Sequence, residues 1–237
     1  MPQVEVCFSP LLYPHRSLRK DIVTVVIDVL RATTAFCAAF DAGAESILPV
    51  DSLEELKVLK AKGYLTAAER DGKKVDFADF GNSPTNFLKL NLERSRLAYS
   101  TTNGTRALGL AIAEGEVAVA CFANLQAVAL WLIGNQKDVV LLCSGWKNTF
   151  SLEDSVCAGA LAQILCSSGK YSHLSDASVT SLQLWNDSHS NLQKYCSQAS
   201  HYQRLLNQGL EDDLNLCFLI DTSFVVPFWD GEKLVKI

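Results

Sequence analysis

The chain has 237 residues, of which 49% are hydrophobic and 20% are charged, and its formal net charge is −5. A chain of this length can bury a sizeable core, in one large domain or in two small lobes. The negative net charge makes nucleic acid an unexpected partner. The sequence also contains no run of about 20 apolar residues that would span a membrane. No basic segment followed by an apolar core begins the chain, so we expect no signal peptide and a cytoplasmic location.

The eight cysteines lie largely within apolar runs, such as residues 117–121 and 139–143. None of them forms a C-x-x-C pair. Buried free thiols in a reducing compartment are therefore the better interpretation.

Residues 23–27 are the first strongly β-branched run, which predicts a strand buried on both faces. Asp28 and Arg31 follow directly, and an apolar helical pattern then continues to Phe40. Ligands of open α/β sheets bind at the carboxyl ends of strands, which is where this order places the two side chains. The alternative is an internal ion pair between Asp28 and Arg31.

A short strand is predicted at 46–50, and Asp51 is predicted to cap a helix that ends near Gly63. Glu69 and Arg70 then open a polar turn. The tight turn at 81–84 offers amides and a hydroxyl that could hold a ligand, although turn chemistry alone explains its composition.

Residues 100–106 form a predicted strand-to-helix turn that is rich in hydroxyl groups. Gly104 and Asn103 allow unusual backbone angles, which would direct free N–H groups and the positive end of a helix at one anion. Arg106 would add a bidentate contact to phosphate oxygens. The alternative is a helix that is capped by Asn103 or Thr105, with Arg106 in solvent.

Two further strands are predicted at 117–121 and 139–143. Asn124 is predicted to cap a helix that stops at Gly134. Ser151 and Asp154 fit a capping box at the start of a later helix, which by itself would explain Asp154. The same helix start would bring Glu153 or Asp154 close to the strand ends.

The C-terminal part of the chain gives weaker signals. Residues 172–190 are polar and show no clear period, so a sub-lobe boundary near 168–190 is one interpretation. A predicted helix places His201 and Arg204 on adjacent positions of one face. Residues 225–227 are predicted to form a last edge strand.

An apolar strand runs into a polar turn and a helix three times, at Asp28, at Thr101 and at Ser144. This β-α order predicts an α/β fold with a mainly parallel, helix-covered sheet in α/β/α layers. We expect one unit over residues 1–237, and division into two α/β lobes remains open.

Common phosphate-binding and phosphatase motifs are missing from the sequence. It has neither G-x-x-x-x-G-K-[ST] nor G-x-G-x-x-G. No cysteine is followed by five residues and an arginine, and no D-x-D pair follows an apolar strand. What remains is a set of carboxylates and arginines around a cradle for an oxyanion.

Six segments closely resemble, in the same order, the 2-phosphosulfolactate phosphatase (ComB-like) family. They read VIDVLRATT at 26–34, ER at 69–70, FGNSP at 80–84, TTNGTRA at 101–107, SLED at 151–154 and HYQRL at 201–205. The resemblance implies Mg²⁺-dependent hydrolysis of 2-phosphosulfolactate to sulfolactate, a step towards coenzyme M. Arginines suit such a multiply charged anion, and carboxylates suit a hard cation.

The resemblance, together with the chemistry of these side chains, implies three sets of residues. The catalytic residues are Asp28, Arg31, Arg106, Asp154 and His201. The substrate-binding residues are Arg70, Asn82, Ser83, Thr102, Asn103, Gly104, Thr105 and Arg204. The candidate Mg²⁺ ligands are Asp28, Glu69, Glu153 and Asp154.

The chain departs from the family pattern at two places. Ala68 occupies a position where the family usually has a glycine. The family usually has another glycine in the next loop, where this chain has residues 75–77. These differences leave the exact substrate open. The alternative from another class is a non-catalytic binding module for a phosphorylated or sulfonated metabolite. Neither nucleic acid nor a membrane is an expected partner, and formation of a homo-oligomer is left open.

Overall fold

The apolar runs of the sequence form eleven strands in the part of the chain that the structure, a computed structural model, describes: residues 1–18, 20–173 and 175–237. They are β1 (Gln3–Cys7), β2 (Ile22–Ile27), β3 (Ser46–Pro49), β4 (Leu65–Arg70), β5 (Lys73–Lys74), β6 (Arg96–Ser100), β7 (Glu116–Ala120), β8 (Asp138–Cys143), β9 (Ser172–His173), β10 (Pro227–Trp229) and β11 (Leu234–Lys236).

The α-helices connect these strands and extend the C-terminal part. They are α1 (Ala32–Asp41), α2 (Leu53–Ala61), α3 (Pro84–Phe87), α4 (Gly104–Ile112), α5 (Leu125–Asn135), α6 (Leu152–Ser167), α7 (Asp176–Ser188), α8 (Leu192–Cys196), α9 (Ser200–Asn207) and α10 (Glu211–Cys217). Short 3₁₀ turns lie at Tyr13–His15, Phe122–Asn124 and His189–Asn191.

The strands form one sheet in the order β5-β4-β6-β3-β11-β10-β7-β2-β8-β1-β9. Two groups are parallel, β4-β6-β3 and β7-β2-β8-β1-β9. Among the strands of the described residues, the antiparallel pairs all include β5 or a strand of the hairpin formed by β10 and β11. The predicted mainly parallel α/β fold is confirmed.

Strand β2 shows how the layers arise. All six of its residues are buried. Val23, Val25 and Ile27 belong to a core cluster shared with α5 and α6, whereas Val26 packs in a second cluster with α1 and α4. Since alternate residues of a strand point to opposite faces, helices cover both sides of the sheet.

The prediction of a last edge strand at 225–227 is wrong. The hairpin of β10 and β11 lies inside the sheet, where Phe228 pairs with Ala118 of β7 and Leu234 pairs with Ile47 of β3. Pro227 occupies the first position of β10, where proline is tolerated. The hairpin thus joins the two parallel groups, a long-range pairing that local sequence does not reveal.

Residues 172–190 are more regular than their composition predicts. They form β9, which extends the sheet beside β1, and α7, whose N-cap Ser175 accepts a hydrogen bond from the Ser178 amide. Helix α7 packs closely on α6 at Gly159, where an added Cβ would overlap the Ser181 carbonyl oxygen. The small residue therefore allows this close approach.

The predicted helix caps meet different outcomes. Ser151 caps α6 as expected, with its hydroxyl accepting the Asp154 amide. The cap of α2 is Ser52 rather than Asp51, so that prediction is one residue out. Asn124 makes no side-chain cap for α5, because its amide group bonds neighbouring backbone, and the helix continues through Gly134 to Asn135.

All eight cysteines are free thiols, and only Cys166 is not fully buried, as predicted from their apolar surroundings. Among the described residues, no helix is both long enough and apolar enough to cross a membrane.

Candidate active site

Asp28 is the first residue after β2, and its side chain is buried at the edge where the parallel strands end. Its Oδ1 atom accepts a hydrogen bond from the Ala32 amide at the start of α1. Gly104 at the start of α4 approaches from the other side, since a Cβ there would lie 2.9 Å from Asp28 Oδ2. Two helix N-termini therefore converge on this carboxylate.

Arg31 pairs with Asp213, so the alternative of an Asp28–Arg31 ion pair is wrong. Its Nη1 atom lies 2.6 Å from Asp213 Oδ2, and both side chains are buried. Its Nη2 atom donates to the Gly72 carbonyl at 3.3 Å. Asp213 was not among the predicted site residues.

Glu69, at the end of β4, ties two loops together. Its Oε1 accepts hydrogen bonds from both the amide and the hydroxyl of Thr102, and its Oε2 accepts from the Gly72 amide. Both carboxylate oxygens are thereby engaged with the protein.

The central turn at 100–106 is held by its own hydroxyl groups. Thr101 Oγ1 accepts the Thr105 amide at 3.1 Å, and the Thr105 hydroxyl donates back to the Thr101 carbonyl. Asn103 instead accepts the Lys147 amide with Oδ1, so it is not a side-chain cap of α4. Arg106 is exposed on the first turn of α4, and its predicted catalytic role stays a prediction.

The other predicted substrate-binding residues near this turn have protein partners. Arg70 donates to the carbonyls of Glu69 and Ser100 and to the Ser100 hydroxyl. The Ser83 hydroxyl donates to Asp213, and Asn82 accepts from the Tyr99 hydroxyl.

The first turn of α6 brings two more carboxylates to the strand ends. Asp154 joins two loops, because its oxygens accept the amides of Val29 and Gly145. Glu153 is almost fully buried, and its Oε2 has no hydrogen-bond partner among the described residues. Its Oε1 lies 3.6 Å from His201 Nδ1.

His201 and Arg204 share one face of α9, as predicted. Arg204 Nη2 lies 2.8 Å from His201 Nε2, and its guanidinium carbon lies 3.6 Å above the Trp146 ring. An arginine only donates hydrogen bonds, so Nε2 accepts and the proton of neutral His201 is on Nδ1, facing Glu153. Burial, with the positive charges of Arg204 and Arg31, lowers the pKa of His201 to about 3, which keeps the ring neutral at pH 7.

These elements line one partly open cavity. Its lining includes seven predicted residues: Asp28, Arg31, Glu69, Asn82, Asn103, His201 and Arg204. The other predicted residues lie outside this lining: Arg70, Ser83, Thr102, Gly104, Thr105, Arg106, Glu153 and Asp154. Trp146 also lines the cavity and was missed, although it follows β8 in the third predicted β-α unit.

The buried carboxylates at the strand ends lie close enough to repel one another. Burial, followed by repulsion from Glu69 and Glu153, raises the pKa of Asp28 to about 7. Burial and the charges of Glu153 and Asp28 raise the pKa of Asp154 well above its usual range. Burial also raises the pKa of Glu153. A bound cation would relieve this repulsion.

Two carboxylates in this cluster have oxygens that remain available to a ligand. Glu153 Oε2 is buried without a partner, and Asp28 Oδ2 accepts no hydrogen bond from the described residues. No group of three metal-ligating side chains converges in the described part of the chain. Mg²⁺ is usually bound by one or two carboxylates, with water and substrate oxygens, so this donor set fits it.

Comparison with known proteins agrees with the geometry. The family model described as 2-phosphosulpholactate phosphatase matches residues 7–232. A protein of Microcystis aeruginosa (strain NIES-843 / IAM M-2473), named probable 2-phosphosulfolactate phosphatase, is 38% identical over 242 residues, covering 99% of this chain and 100% of the relative.

Two further relatives carry the same name. The one from Clostridium perfringens (strain SM101 / Type A) is 39% identical, covering 90% of this chain and 88% of the relative. The one from Gloeothece citriformis (strain PCC 7424) is 40% identical, covering 86% of this chain and 87% of the relative. With its cavity of arginines and buried carboxylates at the strand ends, the chain belongs to the 2-phosphosulpholactate phosphatase family and is a phosphoric monoester hydrolase.

Proposed function

We propose that the chain hydrolyses the 2-phosphate ester of a small hydroxy acid, namely 2-phosphosulfolactate, to sulfolactate and phosphate in a Mg²⁺-dependent reaction. One observation carries this proposal: Arg31 and Arg204 line a single cavity together with two buried carboxylates, Asp28 and Glu69. The names of the relatives support the substrate. The reaction would be a step towards coenzyme M, and we place it in the cytoplasm, where the eight free thiols would stay reduced.

The two cavity arginines suit a substrate with two anionic groups. Arg31 is already paired with Asp213, whereas Arg204 stacks on Trp146 and forms no ion pair among the described residues. We assign both guanidinium groups to the substrate's phosphoryl and acid oxygens, where planar donors can bind in a bidentate manner. Their charge would stabilise the phosphoryl group as its charge redistributes in the transition state.

Asp28 and Glu153 would hold the Mg²⁺ ion, because they have the available oxygens described above. When bound, the ion would neutralise charge on the phosphoryl oxygens. The transition state of phosphoryl transfer is loose in most accounts, so the attacking water needs positioning more than deprotonation. Asp28 lines the cavity and is the carboxylate we assign to orient that water.

His201 is less suited to receive a proton from water in this arrangement. Its Nε2 already accepts from Arg204, and its Nδ1–H faces Glu153. His201 lies between the Arg204 and Glu153 side chains, and we assign it to position both of them.

The test is phosphate release by the purified protein from 2-phosphosulfolactate, 2-phospholactate and phosphoglycolate, each with Mg²⁺ and with chelator. We expect the highest kcat/KM for phosphosulfolactate, loss of activity in chelator, and recovery with Mg²⁺ more readily than with Zn²⁺. Full activity in chelator would contradict the metal assignment. Preference for another phosphoester would contradict the substrate, and tight binding without phosphate release would favour a binding module.

A further inference from the structure

Asp213 occupies the first turn of α10, far along the chain from every residue that lines the cavity except those of α9. Its side chain is only 2% exposed and does not itself line the cavity. A carboxylate is costly to bury unless it is paired and hydrogen-bonded. Asp213 therefore needs the partners that surround it.

Three donors hold this carboxylate, one from the turn after β2 and two from the start of α3. Oδ2 accepts from Arg31 at 2.6 Å, while Oδ1 accepts from the Ser83 hydroxyl at 2.7 Å and from the Thr85 amide at 3.3 Å. Because Oδ1 has partners of its own, the orientation of the carboxylate does not depend on Arg31 alone. Ser83 and Thr85 thus define the direction from which Asp213 contacts the guanidinium.

The guanidinium of Arg31 is restrained from two sides. Asp213 binds Nη1, and the Gly72 carbonyl binds Nη2 from the turn between β4 and β5. These two contacts use only part of the arginine's N–H donors. The remaining donors belong to a side chain that lines the cavity, so they are available to an anion there.

We propose that Asp213 is a positioning residue for the phosphatase reaction, which orients the Arg31 guanidinium towards the phosphoester through the contacts with Ser83 and Thr85. The inference rests on the proposed function of the cavity. It gives Ser83 a different role from direct substrate binding, since its hydroxyl holds Asp213. A merely structural ion pair would stabilise the fold without affecting how the cavity binds an anion.

The first test replaces Asp213 by Asn, which keeps the shape and removes the charge. A misplaced catalytic group can cost about 10²-fold, so we expect kcat/KM to fall by about that factor. The dissociation constant of inorganic phosphate, measured by calorimetry, should rise at least about tenfold, since Arg31 keeps its charge but loses the partner that orients its bidentate contact with phosphate. The matched control is Asp212→Asn, an exposed neighbour on the same helix turn, which should leave both quantities unchanged.

A double-mutant cycle separates positioning from general destabilisation. If Asp213 acts through Arg31, then Asp213→Asn should cost little more in phosphate affinity once Arg31 is already Ala. Additive losses in the double variant would overturn the proposal, as would unchanged phosphate binding in folded Asp213→Asn.

Ser83→Ala keeps the proposal testable if Asp213→Asn does not fold. It removes one of the three donors and leaves the ion pair charged, so we expect a several-fold weaker phosphate affinity that disappears in the Arg31→Ala background. Unchanged affinity in Ser83→Ala would count against the inference. Phosphate binding also distinguishes failure of this inference from failure of the proposed function. If the parent protein binds phosphate but does not hydrolyse phosphosulfolactate, only the proposed function is contradicted.

Discussion

At the residue scale, the arginines of the site differ in what they contact. Arg31 and Arg204 line the cavity, whereas Arg106 is exposed on α4 and Arg70 is bound to backbone carbonyls. A surface charge in solvent contributes little, while a donor held in a water-poor site acts strongly on developing charge. The location of each arginine therefore predicts how much its replacement lowers kcat.

Replacing Arg204 by Ala should lower kcat by about 10²–10³, because removal of one preorganised donor typically costs that much. Arg204→Lys should recover only part, since an ammonium keeps the charge but not the planar fork. Steady-state kinetics with phosphosulfolactate measure both. Arg106→Ala is the matched comparison, and we expect its kcat to fall far less than that of Arg204→Ala. An equal or larger loss in Arg106→Ala would support the catalytic role that the sequence alone assigns to it.

Asp28 predicts a pH dependence of stability in the absence of divalent cations. The pKa of Asp28 is about 7 in the folded protein, above the ordinary value of 3.8 for an unfolded chain. Between these values the folded state binds more protons, so ionisation of Asp28 costs stability as the pH rises. Asp28→Asn removes that cost and keeps the acceptor for the Ala32 amide.

The Tm of Asp28→Asn should therefore exceed that of the parent by more at pH 8 than at pH 5. Thermal unfolding followed by circular dichroism at both pH values measures the difference. Mg²⁺ should raise the Tm of the parent more than that of the variant, since the variant lacks one proposed ligand. An equal Tm difference at the two pH values would argue against an ionised, repelled Asp28.

At the element scale, the site is built where helices begin close to strand ends. Helices α1, α4 and α6 follow β2, β6 and β8. Asp28 lies in the turn before α1, the hydroxyl-rich turn leads into α4, and Glu153 and Asp154 lie in the first turn of α6. Gly104 sets the spacing between α4 and α1, because an added Cβ would lie only 2.6 Å from Ala32 Cβ. Neither atom is at the end of a flexible side chain, so backbone would have to move.

Gly104→Ala should lower the free energy of unfolding by about 1–3 kcal/mol, the usual cost of overpacking. It should also lower kcat/KM, because the shift displaces the turn beside Asp28. Gly109→Ala is the control in the same helix, since its Cβ would meet only Asp51 Oδ2, at 3.7 Å. That control should raise the free energy of unfolding by about 0.5–1 kcal/mol through helix propensity. Denaturant unfolding measures both, and a neutral Gly104→Ala would contradict the close contact.

At the scale of the whole molecule, the C-terminal hairpin connects the two parallel groups of strands. Leu234 of β11 is fully buried and pairs with Ile47 of β3, while Phe228 of β10 pairs with Ala118 of β7. The last two strands of the chain therefore pack between strands from its first half.

Leu234→Ala should lower the free energy of unfolding by about 2–5 kcal/mol, as large-to-small changes in a core do. Because neither hairpin strand lines the cavity, kcat/KM per folded molecule should not change. Val235→Ala, at a half-buried position of the same strand, should cost less. Denaturant unfolding and kinetics on the same samples provide the measurement, and a stability loss no larger than that of Val235→Ala would contradict the bridging role.

The sequence by itself determined the features that depend on neighbours along the chain. Apolar runs followed by polar turns predicted the β-α units and the mainly parallel sheet, and the Ser151 cap and the shared face of His201 and Arg204 followed from spacing alone. The family and its class of reaction were also recognisable, because six short segments occur in a characteristic order.

Only the tertiary structure decided which of these residues meet. The pairing of Arg31 with Asp213, the stacking of Trp146 on Arg204 and the insertion of the hairpin join positions that are far apart in sequence. Local spacing also could not distinguish Arg106, exposed on α4, from Arg204 in the cavity, since both lie on predicted helices. The physical reason is that burial and charge pairing depend on packing between distant elements, whereas caps and periodicity depend on residues within a few positions of one another.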